Sequence, residues 1–292
     1  MKHLNKRLSE YLLSFPSMAW LLVFFLAPTL MIFAFSFKPF DIYGSIQEGW
    51  TIETIKDLFN RDILASILKT FWISILTTLI TLSLSLPVGY YIARAKPAIR
   101  HFCLLLVIIP FWSSFLIRIF AWKSLLHPEG ILKKILVSMH LISDETLLLY
   151  NSGAVLLVLA YSYLPFGILP IFAAASKFNF QLMEAALDLG CSKFQAFFKV
   201  FVPGIRLGIL TSFLMVFIPT LGAYVIPDVV GGPDNEMIGN KIAQKIFTDR
   251  NLPEASALSA FLAFLVLLPM TLFALLPSKN AKEGLLDTKV KQ

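Results

Sequence analysis

Charged residues are scarce in this chain, and the scarcity excludes most soluble folds. Only 15% of the 292 residues are charged, whereas 57% are hydrophobic and the mean hydropathy is +0.76. A soluble domain needs a larger share of polar and charged residues to cover its surface. The composition therefore predicts a membrane protein.

Signatures of catalysis and of cofactor binding are also missing. The sequence holds no G-x-x-x-x-G-K-[ST] phosphate loop, no H-E-x-x-H pair and no pattern of a Ser-His-Asp triad. The two cysteines, Cys103 and Cys191, lack C-x-x-C spacing and fall at different predicted depths, so neither a metal site nor a disulfide is expected. We expect a chain that is not an enzyme and that binds no cofactor of its own.

Six apolar runs are long enough to cross a bilayer as helices. A hydrocarbon core of about 30 Å needs about 20 helical residues, and a helix satisfies its own backbone where water is absent. The first run is longer than the apolar part of a cleavable signal sequence, so we interpret it as a retained helix. The runs lie near residues 16–37, 70–93, 101–126, 147–176, 207–227 and 255–278. They predict an all-α polytopic membrane protein with six transmembrane helices.

Prolines occur inside all six of the runs. A proline lacks the backbone N–H that a helix interior uses and clashes with the preceding turn. These prolines are Pro28, Pro87, Pro110, Pro165, Pro170, Pro219 and Pro269. We therefore expect several of the spans to be kinked or broken.

Basic residues are concentrated on one side of the predicted bundle. Residues 1–15, 94–100, 177–206 and the tail beyond 278 together hold 14 Lys and Arg against five acids, and the remainder holds 11 against 13. The positive-inside rule then places both termini in the cytoplasm. We predict a cytoplasmic N-terminal segment (1–15), a transmembrane domain (16–278) and a cytoplasmic tail (279–292). The net charge of +7 reflects this topology, and nucleic acid is not an expected partner.

The loop between the fourth and fifth runs begins with the pattern of a short helix. Asn179 is suited to cap a helix over residues 180–189, and Gly190 is suited to the left-handed residue that ends it. This helix is too apolar for a solvated loop and too short to cross the membrane. We expect a partner protein to cover it.

A second helix is predicted directly after this turn. Ser192 and Gln195 fit an S-x-x-Q capping box, which would start a helix over residues 194–202 that stops at Pro203. The loop of residues 177–203 is therefore expected to fold as helix, sharp turn, helix. The alternative interpretation is an amphipathic segment that rests on the bilayer surface.

The same loop resembles the docking segment of bacterial ABC importer permeases. Glu184-Ala185-Ala186, Gly190 and Val200-Phe201-Val202-Pro203 match the pattern E-A-A-x3-G-x9-I-x-L-P, with valine in both aliphatic positions. In that family the segment forms a coupling helix that sits in a cleft of the cytosolic ATPase. The residues to which the resemblance assigns this coupling role are Glu184, Ala185, Ala186, Gly190 and Pro203.

Further stretches are similar to the spermidine/putrescine permeases, and most of all to the first of their two permease subunits. These stretches are residues 109–118, 163–166, 231–233 and 238–240, together with the long loop of residues 38–69. The resemblance implies a type I importer permease fold in the bacterial inner membrane. It also implies a sister permease, two ATPase subunits that use ATP and Mg, and an extracytoplasmic binding protein as partners.

Two other functions are compatible with six spans. One is an ABC permease for a different small organic solute, since related permeases carry other solutes on the same scaffold. The other is a self-sufficient secondary transporter, which would be expected to carry membrane-embedded acids for ion coupling. The predicted spans hold no central Asp or Glu, which favours the importer permease over the secondary transporter.

A path for a polyamine needs carboxylates and aromatic faces, because both stabilise ammonium groups. Interfacial anchoring, packing or helix capping are the alternative roles for such residues. The residues near the spans that offer these groups are Trp112, Tyr161, Tyr163, Tyr224 and Asp228. Arg118 lies in an otherwise uncharged stretch and would repel a polycation, so we expect it to form a structural pair or to contact the binding protein at the outer face.

Overall fold

Helices make up most of the computed structural model, which describes residues 14–41 and 46–275. The helices are α1 (Ser14–Phe35), α2 (Glu53–Asp57), α3 (Arg61–Arg94), α4 (Pro97–Ile108), α5 (Phe115–Leu126), α6 (Ile131–Ser138), α7 (Ser152–Ala175), α8 (Gln181–Asp188), α9 (Lys193–Gly204), α10 (Arg206–Leu221), α11 (Ile238–Phe247) and α12 (Leu252–Leu275). The predicted transmembrane domain is therefore described except for residues 42–45 and 276–278. The predicted tail and most of the N-terminal segment lie outside the described residues.

The long apolar helices follow the predicted spans. By length and composition α1, α3 and α7 can each cross a membrane. Two sharply bent pairs, α4 with α5–α6 and α9 with α10, could each form one more span, which gives up to five spans among the residues described. α3 has 34 residues and begins well before the predicted span, because the side chain of Asn60 caps it by accepting a hydrogen bond from the N–H of Arg61 at 2.9 Å. α12 is a further apolar helix at the position of the sixth run.

The predicted breaks occur at only some of the prolines. Pro110 lies in a 3₁₀ turn (Ile109–Trp112) that ends α4, and the chain then turns by 92° into α5. Ser113 and Ser114 between them have extended backbones. Other prolines, such as Pro87 in α3 and Pro165 in α7, lie inside helices that continue on both sides. Whether a proline breaks a span thus depends on its surroundings as well as on its lost donor.

The described chain divides into two packing units, and the larger one contains Asn60–Gln244. Its core is formed by α3, α7 and α10, which approach one another through small residues. A Cβ atom on Gly167 of α7 would lie 2.4 Å from Ser85 Oγ of α3, and one on Gly208 of α10 would lie 2.3 Å from the Cβ of Ala174. The hydroxyl of Ser212 donates to the Gly167 carbonyl at 2.9 Å. These contacts leave no room for larger side chains between the three helices.

The smaller unit combines residues up to Phe59 with those from Lys245 onward. Within it, α12 packs against α1 and α2. The ammonium group of Lys245 lies 3.1 Å from Asp249 and 2.9 Å from Glu254. Partial burial lowers the pKa of Lys245, but its hydrogen bonds and attraction to Glu254 and Asp249 outweigh that effect, and the pKa is raised above its ordinary value.

Candidate coupling segment and solute path

The first half of the predicted coupling loop folds as the short helix α8. The side chain of Asn179 accepts a hydrogen bond from the N–H of Gln181 at 3.1 Å, close to the expected capping position. Met183 and Ala186 are buried on one face of α8, whereas Glu184 and Ala185 are exposed on the other. The helix is therefore anchored on one side and open on the other.

A left-handed glycine ends α8, as predicted. Gly190 has a φ of 89°, and the N–H of Cys191 donates to the carbonyl of Ala186 at 3.0 Å in the pattern of a Schellman turn. No atom lies within 4 Å of the position that a Cβ on Gly190 would take. The requirement for glycine here is thus one of backbone conformation and not of space.

The predicted capping box starts α9. Ser192 Oγ accepts from the N–H of Gln195 at 3.2 Å, and the Gln195 side chain accepts from the N–H of Ser192 at 3.0 Å. The sequence predicted that α9 would stop at Pro203. In the structure the helix instead continues to Gly204. A π-helical turn (Phe197–Phe201), in which the N–H of Val202 donates to the carbonyl of Phe197, shifts the hydrogen-bond ladder just before the proline and allows the helix to pass it.

An aromatic cluster of Tyr90, Phe178, Phe180, Phe197 and Phe201 holds this segment. The fully buried ring of Phe201 lies 4.8 Å from the Tyr90 ring of α3 and 5.4 Å from the ring of Phe178, measured between centroids. The sequence interpretation missed this cluster. The signal that could have found it is the recurrence of phenylalanine at positions 194, 197, 198 and 201, which are the spacings of one helical face.

The outward surface of α8 combines apolar side chains with carboxylates. Leu182 is 53% and Leu189 is 86% exposed, and Glu184 and Asp188 stand exposed beside them. Exposed apolar side chains of this size next to charges are typical of a docking surface. The five predicted coupling residues are thus brought together in one helix–turn–helix, with Glu184 and Ala185 on its open face and Pro203 at its far end.

Trp112 lies at the break between α4 and α5. Its side chain is 81% exposed at the end of the 3₁₀ turn. The guanidinium of Arg118 lies 5.7 Å from the ring centroid of Phe111 and 5.9 Å from that of Phe115. The partners of Arg118 among the described residues are therefore aromatic faces of its own bend, and Arg118 Nε is buried there without a hydrogen-bond partner.

The two tyrosines of α7 face different neighbours. Tyr161 packs edge-on against Trp122 of α5, with ring centroids 5.3 Å apart. Tyr163 is partly buried and packs against a buried apolar cluster that α5 and α7 share. Its hydroxyl donates to the carbonyl of Pro219 in α10 at 3.4 Å. Tyr161 keeps an exposed ring edge, whereas Tyr163 is tied to a neighbouring helix.

Tyr224 and Asp228 lie one turn apart in the segment after α10. Both side chains are exposed, and the N–H of Asp228 donates to the carbonyl of Tyr224 at 3.0 Å. The helix α10 ends at Leu221, before the predicted end of the fifth span, and a short π-helical turn (Pro227–Gly231) carries Asp228. The carboxylate and the ring therefore belong to a structured turn beyond the helix.

An amide clasp formed by Asn235 and Asn240 fixes this turn. The Asn240 side chain accepts from the N–H of Met237 at 3.1 Å and donates to the carbonyl of Tyr224 at 2.9 Å. The Asn235 side chain donates to the carbonyl of Gly231 at 2.8 Å and accepts from the Ser152 hydroxyl at 2.6 Å. The stretches 231–233 and 238–240, which carried part of the resemblance, thus have a structural role that spacing in the sequence did not reveal.

The clasp and the α8–α9 segment lie at opposite ends of α3. The N–H of Ile238, next to the clasp, donates to Thr70 Oγ1 at 2.8 Å, whereas the aromatic cluster contacts Tyr90. Twenty helical residues span about 30 Å, which is about the thickness of a hydrocarbon core. The two sites therefore lie about one membrane thickness apart along this helix.

Comparison with known proteins decides the family. The family described as "Binding-protein-dependent transport system inner membrane component" matches residues 85–277. The chain belongs to this family. It is a permease subunit of an ABC importer in the inner membrane and not an enzyme, as predicted.

Curated relatives of this permease match it over most of their length. It is 35% identical over 250 residues to the spermidine/putrescine transport system permease protein PotB of Haemophilus influenzae, covering 86% of this chain and 87% of the relative. It is 31% identical over 247 residues to PotB of Escherichia coli, covering 85% and 90%. It is 28% identical over 285 residues to the inner membrane ABC transporter permease protein YdcU of E. coli, covering 93% and 88%.

Solved structures share the fold of the permease. A chain of a bacterial alginate ABC transporter in complex with alginate pentasaccharide-bound periplasmic protein superposes with a TM-score of 0.73, covering 96% of this chain and 97% of that one at 18% identity. A second structure of an alginate importer gives a TM-score of 0.70 over 91% and 94% of the two chains, also at 18% identity. At this identity the likeness establishes an importer permease fold and does not select the solute.

Proposed function

We propose that this permease imports polyamines such as spermidine or putrescine. The observation that carries the proposal is the match to PotB proteins at 31–35% identity over most of both chains. Aromatic faces at Trp112 and Tyr224 and the exposed carboxylate of Asp228 are groups that stabilise ammonium ions, which is compatible with this solute. The partners in this proposal are a sister permease, two ATPase subunits and an extracytoplasmic binding protein.

The proposed topology has six transmembrane helices within residues 16–278 and both termini in the cytoplasm. Support comes from the charge bias and from the separation of the two sites by about a membrane thickness along α3. In this arrangement the α8–α9 segment faces the cytoplasm and the amide clasp faces outward. Reporter tags at both termini and in the 177–203 loop should then be cytoplasmic, and cysteines at Glu48 and Asp234 should react with an impermeant thiol reagent. An outside 177–203 loop would overturn both the topology and the coupling role.

The coupling role is proposed for the open face of α8 and the turn behind it. Glu184 offers a carboxylate to basic groups of an ATPase cleft, and the small side chain of Ala185 on the same face lets the cleft approach the helix backbone closely. The buried Ala186 lets α8 pack closely on the cluster around Phe201. Gly190 sets the angle between α8 and α9, and Pro203 marks the point where α9 turns toward α10. ATP and Mg are used by the partner ATPase, so this chain transmits its movement and binds neither.

The solute path is proposed to run past Trp112, Tyr161, Tyr163, Tyr224 and Asp228. A multivalent cation that leaves water needs carboxylates or aromatic faces in its place. Arg118 is assigned a structural role because its partners are the rings of Phe111 and Phe115, which it holds at the bend between α4 and α5. Its positive charge also makes it a poor ligand for a polyamine.

The deciding experiment identifies the solute directly. The complex is purified with its native partners, and the bound solute is measured by mass spectrometry, followed by uptake of labelled spermidine and putrescine into proteoliposomes. We expect ATP-dependent polyamine uptake. Uptake of a different solute with the same partners, and of no polyamine, would refute the substrate assignment and leave the importer function intact.

Two matched pairs of variants test the path within this chain. Asp228→Asn and Trp112→Ala should reduce polyamine uptake at least about tenfold, because the loss of one desolvated charge or cation–π contact is worth about 1–2 kcal/mol or more. Asp144→Asn and Trp72→Ala alter exposed residues of the same types elsewhere and should leave uptake unchanged. Equal uptake by all four variants would remove these two residues from the path.

A further inference from the structure

A pocket between α3 and α9 lies beside the aromatic cluster and shares Tyr90 and Phe197 with it. Its volume is about 460 Å³, which lies in the range of small-molecule pockets. Ser83, Leu86, Pro87 and Tyr90 of α3 form one wall. Phe194, Phe197 and Phe198 of α9 form the other, so the lining is apolar except for one serine and the tyrosine hydroxyl.

The open side of this pocket consists of exposed aromatic rings. Phe194 is 73% and Phe198 is 49% exposed, and their ring centroids lie 4.6 Å apart. The lining residues of α3 lie within its last 12 residues, so the pocket lies close to where this span leaves the membrane. A pocket at this depth is reached by the first part of a lipid acyl chain.

Basic side chains border the pocket. Arg94 Nη1 donates to the hydroxyl of Tyr90 at 2.9 Å, and its guanidinium lies 5.5 Å from the ring of Phe180. Lys193 and Lys199 are exposed on α9, one residue before Phe194 and one residue after Phe198, so they flank the face of that helix that lines the pocket. Within the described ranges none of these three cations forms an ion pair with a carboxylate. Their charge is thus available to an anion at the pocket mouth.

We infer that the pocket binds an anionic phospholipid. The acyl chain fills the space between α3 and α9, the headgroup phosphate is held by Arg94, which contacts the lining Tyr90, and Lys193 and Lys199 add positive charge on the two flanks of α9. An apolar cleft with a basic rim at the end of a membrane-spanning helix is the chemistry that anionic lipids require. Because α9 follows the α8–Gly190 turn, the bound lipid braces the coupling segment against α3. The inference depends on the membrane location and not on the transported solute.

Retention of lipid by the purified full chain tests the inference. The protein, with any partners that copurify, is placed in nanodiscs of phosphatidylglycerol and phosphatidylcholine, and the lipids that remain bound after release are counted by native mass spectrometry. Ser83→Trp fills the pocket from its exposed wall and should lower retention by about one phosphatidylglycerol per chain. Leu84→Trp places the same ring at the neighbouring exposed position, outside the lining, and should retain as much as the wild type.

The charge requirement is tested separately. Lys193→Glu combined with Lys199→Glu should reduce the preference for phosphatidylglycerol over phosphatidylcholine several-fold, whereas Lys177→Glu, an exposed lysine that is not next to a lining residue, should keep it. Equal retention by Ser83→Trp and the wild type would overturn the inference. So would a cross-link from a cysteine at Phe194 to the sister permease in the assembled complex, because a protein would then occupy the pocket. Neither result would affect the importer function, which is measured by uptake.

Discussion

The two ends of α3 hold their adjoining segments by different kinds of contact. At the Arg94 end the α8–α9 segment is fixed by the aromatic cluster around the fully buried Phe201. At the Arg61 end the turn that carries Asp228 is fixed by hydrogen bonds from Asn235 and Asn240 to backbone groups. Ring packing depends less strictly on angle than a hydrogen bond does and tolerates small rotations, whereas the hydrogen bonds of the amide clasp hold one geometry.

This difference fits what each end is proposed to do. A segment that transmits movement of an ATPase needs to shift as a body without losing its anchor, and closely packed rings allow that. A turn that presents a carboxylate to a solute needs a fixed position, and hydrogen bonds at both ends of the turn supply it. The comparison therefore predicts that transport depends on surface residues and backbone angle at one end, and on individual amide groups at the other.

The largest effect is expected from changes in the coupling segment itself. Glu184→Lys reverses a charge on the open face, and Gly190→Val forces a β-branched residue to a φ of 89°. Both should abolish transport and substrate-stimulated ATP hydrolysis while the protein remains in the membrane. Uptake by proteoliposomes and the ATPase rate of the complex measure this.

Gly190→Asn is the matched control for the turn. No neighbour lies near the missing side chain, and asparagine tolerates the left-handed region better than other residues, so much of the activity should remain. Normal uptake by both Glu184→Lys and Gly190→Val would contradict the coupling role.

The second effect concerns the anchor of that segment. Phe201→Ala removes a fully buried ring from the aromatic cluster and should destabilise the protein by about 3–5 kcal/mol. Phe102→Ala, at a site that is 62% exposed on α4, should change the unfolding midpoint little. Thermal unfolding in the same detergent compares the two. A small effect at Phe201 would mean that the aromatic cluster does not anchor the segment.

Local patterns in the sequence predicted the coupling segment better than the solute path. The Gly190 turn and the Ser192–Gln195 capping box depend on residues within a few positions of one another, so spacing alone revealed them. The aromatic cluster and the amide clasp join residues far apart in the chain, such as Tyr90 with Phe201 and Tyr224 with Asn240. No single-sequence pattern encodes such pairs.

Helix ends illustrate the same limit. Pro203 was expected to stop α9, but the π-helical turn before it allows the helix to continue to Gly204. Gly204 itself is required by a tertiary contact, because a Cβ there would lie 2.3 Å from the ring of Phe178. Proline marks a weakened helix in the sequence, whereas the packing around it decides where the helix ends.

The third effect tests the clasp at the other end of α3. Asn240→Leu leaves the buried N–H of Met237 without its partner, which should cost about 1–3 kcal/mol. It also removes one of the two donors to the Tyr224 carbonyl, which keeps only the N–H of Asp228. Because Asp228 and Tyr224 lie on the turn that the clasp holds, the apparent affinity for the solute should fall while basal ATP hydrolysis is kept. The concentration dependence of uptake, measured beside unfolding, separates the two effects. Unchanged affinity in a folded variant would show that the turn does not position the path.

The smallest effect is expected from removing one helix cap near each end of α3, the cap of α9 at the Arg94 end and the cap of α3 itself at the Arg61 end. Ser192→Ala deletes the cap of α9 and Asn60→Ala deletes the cap of α3 itself, and each should cost about 1 kcal/mol of stability. The two variants should therefore have similar stability, but they should differ in transport.

Ser192 fixes the start of α9 directly after the Gly190 turn, so its loss loosens the angle between α8 and α9 and should lower the ATP hydrolysis that substrate stimulates. Asn60 caps the other end, away from the coupling segment, and its loss should leave that stimulation intact. If both variants lose stimulation equally, global stability and not the geometry of the α8–α9 turn sets the coupling, and the contrast between the two ends of α3 would not extend to function.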